Sequence, residues 1–414
     1  MISKTRSEPS GSKFSVLRQL CNWIPHHLVS QVAHATGVDQ RARTFSPWSH
    51  VVSLLYAHLT HAIGLNDVCD GLRLHSGPLS AIRAASVPSR NNLSYANRHR
   101  DASMAEQVFW RTLEHLQTLK PGFARGPGFR LTRRFKRVIH VVDATTIELV
   151  ASCLDWARHR RRKAAAKCHL RLDLHSFLPR FAIVDAARQH DAQRARELCL
   201  DIRAGEIVIF DRGYLDWKHM SDLGWRGIFW VTRSKVNLGF RDATPMPPGL
   251  SKDRRVLQDD LVYLDTCHSR QAHPKPVRRI LARVEVQGQQ VEMTFLTNNL
   301  EWSAGTIVDL YRCRWQIEAF FKQIKQTLQL SDFLGQSVNA VRWQIWTALL
   351  LYVLLRFSAW ANGWSQSFTR LFAVVRSATW QRWDLAHLLQ LYGTAGGSLR
   401  CLGQPQQAYF PHWL

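Results

Sequence analysis

Residues 136–150 read KRVIHVVDATTIELV, and residues 206–214 read EIVIFDRGY. Each is a short, nearly unbroken apolar run that reaches an aspartate, Asp143 in the first and Asp211 in the second. Neither shows the three-to-four spacing of an amphipathic helix. Runs of this kind fit strands buried on both faces of a sheet. The first strand is expected to stop at Asp143. Between and after them, CHLRLDLHS (168–176) and RFAIVDAA (180–187) predict a strand pair turning around 177–179. DAQRARELCL (191–200) predicts a short helix, and IFWVTRSKV (228–236) a further strand. Strands alternating with helices imply a mixed α/β sheet.

Working outward, PGFARGPGFRLTRRF (121–135) is rich in Gly, Pro and Arg and reads as a linker. Residues 14–120 before it read as helical. SPWSHVVSLLYAHLTHA (46–62) has a natural helix start at Ser46-Pro47. In VPSRNNLSYANRHR (87–100), Ser89 is a candidate N-cap for a basic helix with Arg90 and Arg98. We therefore expect a helical DNA-binding domain over 1–125. A catalytic domain is expected over 134–335, with a β-rich insertion at about 236–292. Residues 336–414 are expected to be a helical C-terminal region. The greasy run at 345–361 carries Arg356 and reads as a buried helix rather than a membrane span.

The chain has 414 residues and a formal charge of +24. Such an excess calls for a polyanion as normal partner. Sixteen Trp and nineteen Phe accompany it, and some could stack bases, although most belong in the core. The eight cysteines are scattered without C-x-x-C pairs, which suits a reducing cytosol. The N-terminus is polar and lacks an apolar signal region. The expected location is the bacterial cytoplasm, at the nucleoid, with no membrane partner.

The chemistry-bearing helix is DLYRCRWQIEAFFKQIKQTLQL (309–330). Read as one helix, it places Tyr311, Arg314, Glu318 and Lys325 within an arc of roughly 60°. Leu310, Ile317, Phe320, Phe321, Ile324 and Leu328 form the opposite, core-facing side. A carboxylate flanked by two cations and a phenol can hold a divalent metal while its neighbours take phosphate oxygens. If their strands are neighbours, Asp143 and Asp211 at the strand ends could share such cations with Glu318. Their all-oxygen set suits Mg²⁺ or Mn²⁺, as a pair of ions. The run RHRRRKAAAK (158–167), with Arg160, Arg161, Arg162, Lys163 and Lys167, is the strongest DNA-backbone candidate. Glu148 reads as a strand-surface residue, and Trp230 as a sheet aromatic rather than a platform for an unpaired base.

These residues resemble a family. Tyr311, Arg314, Glu318 and Lys325 match, at every spacing, the Y-x2-R-x3-E-x6-K signature of one group of bacterial insertion-sequence DDE transposases. DRGY (211–214) and VVDATTIEL (141–149) are similar to the second and first Asp motifs of that family. Ala144 replaces the Gly that usually follows the first Asp. Lys167, His169 and His190-Asp191 resemble recurrent positions between the two motifs, and the likeness runs over roughly 14–360. The resemblance implies a ribonuclease-H-like, retroviral-integrase-like core with a β-rich insertion, flanked by helical domains. It implies that Asp143, Asp211 and Glu318 are the metal ligands, and that Tyr311, Arg314 and Lys325 contact terminal phosphates. It further implies cutting at double-stranded terminal inverted repeats, then attack by the freed 3′-hydroxyl on target DNA, with at least a dimer on DNA. Two other readings stay open: a decayed transposase that only binds DNA, and a ribonuclease-H-like nuclease of another sort.

Overall fold

The apolar run at 136–150 becomes strand β1 (Ile139–Leu149), with Ile139, Val141 and Val142 fully buried. In this computed structural model the described residues are 8–40, 44–125, 135–149, 153, 158–160, 163–186, 191–235, 237–250, 252–286, 288–328 and 333–392. The chain divides into two compact units. One comprises Met1–Ala124, Ile147–Ala165 and Phe321–Gln406, and the other is built on Arg125–Thr146 and Ala166–Phe320.

The second unit is organised by the sheet. After β1 come β2 (Arg158–Arg160), which falls with Ile147–Ala165 in the first unit, then β3 (Lys163–Asp173), β4 (Leu178–Ala186), β5 (Ile207–Phe210) and β6 (Phe229–Arg233). β3 and β4 pair antiparallel, and the chain reverses between them at Phe177, held at a left-handed φ of 58°. β5 pairs parallel with β1 on one side and with β6 on the other. Parallel neighbours need a crossover. Two helices lie in the intervening segments, Asp191–Leu198 before β5 and Trp217–Trp225 before β6. The resulting order β4-β3-β1-β5-β6 is that of a ribonuclease-H-like core. Val142, Val208, Phe210, Leu223 and Trp230 are buried in its hydrophobic centre.

The sheet then continues through β7 (Phe240–Pro245), β8 (Val256–Leu264), β9 (Val277–Val286) and β10 (Gln289–Thr297), an antiparallel meander. β10 closes on β6, also antiparallel, so the insertion extends the central sheet edge. A buried ion pair fixes it: Arg278 donates to both Asp259 oxygens at 2.7 and 2.8 Å, and to the Trp302 carbonyl at 2.6 Å.

The helical unit contains α1 (Val16–Cys21), α2 (Leu28–Ala35), α3 (Pro47–Thr60), α4 (Leu65–Leu74), α5 (Ser76–Ser80), α6 (Arg90–His99) and α7 (Ser103–Leu119). Pro47 occupies the first turn of α3, and Ser89 caps α6 by accepting from the Asn92 N–H. After Pro121–Arg125 (α8), and the two crossover helices Asp191–Leu198 (α9) and Trp217–Trp225 (α10), Cys267–Ala272 forms α11. Then follow α12 (Ala304–Arg312), α13 (Trp315–Thr327), α14 (Val338–Ala361), α15 (Phe368–Ser377) and α16 (Leu385–Leu391). α14 is long and apolar enough to cross a bilayer, yet 83% of its most apolar window is buried inside the protein. It packs against α3, α6 and α7. Asn339 and Trp343 on α14 donate to the carbonyls of Asn97 and Arg100, respectively, at 3.0 and 2.7 Å.

Two expectations are corrected. β1 does not stop at Asp143 but runs on to Leu149. The stretch 309–330 is not one helix: it breaks at Cys313-Arg314 into α12 and α13. There the amides of Arg314, Gln316 and Ile317 each bond to the carbonyl three residues back, at 2.9 to 3.0 Å. Such bonds belong to a tightened 3₁₀ turn, which rotates the chain more per residue than an α-helix does. Helical side-chain spacing persists across this turn, so the pattern alone does not reveal it.

Candidate active site

Asp143 and Asp211 stand at the same level of neighbouring parallel strands, Asp143 within β1 and Asp211 just past the end of β5. The register pairs Val142 with Phe210, and each aspartate is the next residue. Adjacent strands lie about 4.8 Å apart, so the backbones at the two aspartates are close neighbours. β5 ends at Phe210, and Asp211 caps the turn that follows by accepting from the Gly213 N–H. Asp143 Oδ1 accepts from the Ala144 N–H at 2.8 Å.

Glu318 arrives on the first turn of α13, immediately after the break. The break aims Arg314 at both carboxylates. One guanidinium nitrogen donates to Asp143 Oδ2 at 2.9 Å and the other terminal nitrogen to Glu318 Oε1 at 2.6 Å. Tyr311, buried on the last turn of α12, places its hydroxyl 3.5 Å from Asp211 Oδ1 and its ring against Phe295. Asp143, Asp211, Glu318, Tyr311 and Arg314 are thus brought together.

The electrostatics follow from that crowding. Burial pushes the Asp143 carboxyl up to about 6, Arg314 and the Ala144 amide hold it down, and the charges of Asp211 and Glu318 push it further up. Burial works against the Arg314 charge, but Asp143 and Glu318 hold its pKa above the ordinary arginine range. The Tyr311 phenol is pushed up to about 12, first by burial and then by Asp211, against the pull of Arg314 and Arg233. Arg314 Nε is buried without a hydrogen-bond partner. Among the described residues, no three His, Cys, Asp or Glu side chains are grouped closely enough to hold an ion as they stand. The donor chemistry nevertheless fits Mg²⁺ or Mn²⁺: the donors are carboxylate oxygens, and their mutual repulsion is what a divalent cation relieves.

Other expected positions lie elsewhere. Lys325 is on α13 two turns beyond Glu318 and is partly buried. Arg90 and Arg98 are exposed on α6. Lys167 stands on β3 in register with Asp185. Arg160 and Lys163 pair in the short β2–β3 ladder, although their side chains lie outside the described residues, as do Arg161 and Arg162 altogether. The backbone of Asp191 starts α9, while His190 lies outside the described residues. His169 is buried with Nδ1 3.0 Å from the Tyr214 hydroxyl. Trp230 is fully buried in the sheet core, where no base can reach it.

Sequence reading passed over Arg233. It ends β6, the strand next to β5, and its charge reaches Tyr311. The available signal was a cation closing an apolar strand in VTRSK. An open cavity of about 410 Å³ lined by Arg212, Gly213, Lys235 and Asn237 follows the second Asp.

A family model described as a transposase DDE domain matches residues 134–354. A domain of unknown function matches residues 12–82. The protein y4zB of Sinorhizobium fredii, which carries a transposase name, is 30% identical over 309 residues, covering 72% of this chain and 80% of that one. A protein of Geobacillus stearothermophilus named as the transposase for insertion sequence element IS5377 is 28% identical over 230 residues, covering 55% of this chain and 58% of its own length. The solved piggyBac transposase synaptic complex with hairpin DNA aligns over 94% of this chain and 85% of that one, with a TM-score of 0.45 and 10% identity.

Proposed function

This chain belongs to the transposase DDE domain family, and we propose that Asp143, Asp211 and Glu318 are its catalytic carboxylates. It is a DNA transposase of the kind carried by bacterial insertion sequences. The proposal places it in the group with the Y-x2-R-x3-E-x6-K signature, cutting element ends and joining them to target DNA. The observation that carries it is Arg314, which draws Asp143 on β1 and Glu318 on α13 into one cluster beside Asp211.

The three carboxylates would hold Mg²⁺ or Mn²⁺, two ions in all. When bound, such ions make water or a 3′-hydroxyl a stronger nucleophile and stabilise the leaving oxygen. The chain's own residues supply the rest. Arg314 neutralises the acids until a phosphate arrives, and its guanidinium can then turn to that phosphate. Tyr311 and Lys325 hold further phosphate oxygens of the element's terminal nucleotides. Arg212, Arg233 and Lys235 add positive charge around the second Asp.

The same reading assigns duplex DNA to the helical residues 1–125, with Arg90 and Arg98 facing the backbone. Lys167 and the basic run from Arg160 to Lys163 would contact the strand near the cut. Residues 134–335 would carry the chemistry and 336–414 the C-terminal helices. Two ends must be cut in concert, so the active form on DNA would be at least a dimer, working in the bacterial cytoplasm at the nucleoid.

The test is a supercoiled plasmid bearing the element's inverted repeats, incubated with Mg²⁺ or with EDTA. Metal-dependent nicks at the repeat tips, lost in Asp143→Asn and Glu318→Gln while DNA binding survives, support the reading. Binding without cutting would mean a decayed transposase, and cutting indifferent to the repeats would mean a general nuclease.

A further inference from the structure

α13 carries Glu318 and Lys325, and its last carbonyl meets a ring nitrogen of His61. From Phe321 onward the helix belongs to the helical unit. The last carbonyls of any helix lack partners within it and must find donors elsewhere. Here His61 Nε2 lies 2.8 Å from the Thr327 carbonyl, while the neutral His58 ring, whose Nε2 faces the Gln344 carbonyl at 3.0 Å, packs with Nδ1 3.3 Å from the Leu328 carbonyl. His61 is the C-cap of α3 and is held at φ 57°, in the left-handed region where a side chain other than Gly is uncommon.

The ring of His61 is oriented from its other side. Arg376, in the last turn of α15, donates to His61 Nδ1 at 2.9 Å. A guanidinium has no acceptor, so Nδ1 must accept and the ring proton must sit on Nε2. That proton faces the Thr327 carbonyl. Phe372 stacks on the ring at 5.1 Å and 19°, which prevents it from turning. Arg376, His61 and Thr327 therefore form a chain of two directed hydrogen bonds across α15, α3 and α13.

At its start, α13 follows the 3₁₀ turn at Cys313-Arg314, a joint rather than a continuous rod, where Glu318 is tied through Arg314 to Asp143. Its axial position must then be set by that tie, by packing and by what holds its end. We propose that His61, aligned by Arg376, is a positioning residue for the catalytic helix: it keeps the last turn wound and fixes Lys325, two residues before Thr327. This rests on the assignment of α13 as the helix that bears Glu318 and Lys325 in catalysis.

The experiment compares His61→Ala, His61→Asn and Arg376→Gln in the full chain. Amide hydrogen exchange at 324–328 is expected to quicken about tenfold in His61→Ala, with the amides of β1 and β5 unchanged. Single-turnover cutting at saturating element-end DNA should fall about tenfold while end affinity stays within about twofold. His61→Asn, which tolerates the left-handed backbone and keeps an N–H donor, should recover at least half of each loss. Arg376→Gln should shift both readouts in the same direction by less. Unchanged exchange at the end of α13 overturns the proposal, as does a cutting loss that only tracks lost DNA binding or a general acceleration of exchange. If Glu318→Gln cuts normally, the catalytic assignment fails instead, and the exchange result still decides the clamp.

Discussion

Arg314 donates to Asp143 at 2.9 Å although 171 positions separate them in the chain, and the same guanidinium donates to Glu318 at 2.6 Å. A single cation therefore joins the strand that opens the fold to the helix that completes the site. It also does electrostatically what a divalent ion would do, which is to let the half-buried Asp143 and the exposed Glu318 stand close together.

Arg314→Gln leaves Asp143 buried without its counter-charge. Breaking a partly buried pair of this kind should cost about 2 kcal/mol, seen as a lowered midpoint in urea unfolding. Added Mn²⁺ should restore more stability to the variant than it adds to the parent protein. If the ion adds equally to both, the guanidinium does not stand in for a cation.

Burial pushes the Asp143 carboxyl up to about 6 in the folded chain against an ordinary 3.8. Between those values the folded chain keeps a proton that the unfolded chain has released. Metal-free stability should therefore fall as pH rises from about 4 to 6, by roughly 3 kcal/mol from this group. Asp143→Asn should remove that slope. Urea unfolding at several pH values, in parent and variant, measures it.

Gly305 begins α12 where a Cβ would collide with the Asp253 carboxylate. Asp253 cannot retreat freely, because Arg255 holds it at 2.7 Å and also binds Asp309 on α12 at 2.7 Å. Gly305→Ala should destabilise the protein by about 1–3 kcal/mol. A thermal midpoint within a degree of the parent would contradict the packing.

Arg278 and Asp259 are both buried in the insertion. Asp259→Ala strands a guanidinium and should cost about 3–5 kcal/mol, whereas replacing both with apolar residues should cost much less. A double-mutant cycle in urea reads the difference.

Much of this was legible beforehand. The runs reaching Asp143 and Asp211 needed only their apolar character to announce buried strands, though not that the two are neighbours, and Ser89 and Pro47 marked helix starts by their capping chemistry. The break at Cys313-Arg314 was not legible, because three-residue bonds barely disturb the spacing of apolar side chains. Nor was the reach of Arg314 to Asp143, or of Arg376 to His61, since such contacts depend on which distant elements meet. Asp143 was read as the end of its strand because an acid interrupts the apolar run, yet β1 tolerates it by giving it partners in Ala144 and Arg314.

The most direct test is a crystal of the protein with an element-end duplex and Mn²⁺, examined by anomalous scattering. The account predicts manganese peaks within coordination distance of Asp143, Asp211 and Glu318, with Arg314 turned from the acids to a phosphate. Peaks elsewhere, or Arg314 still bridging Asp143 and Glu318 in a complex that cuts DNA on warming, would contradict it.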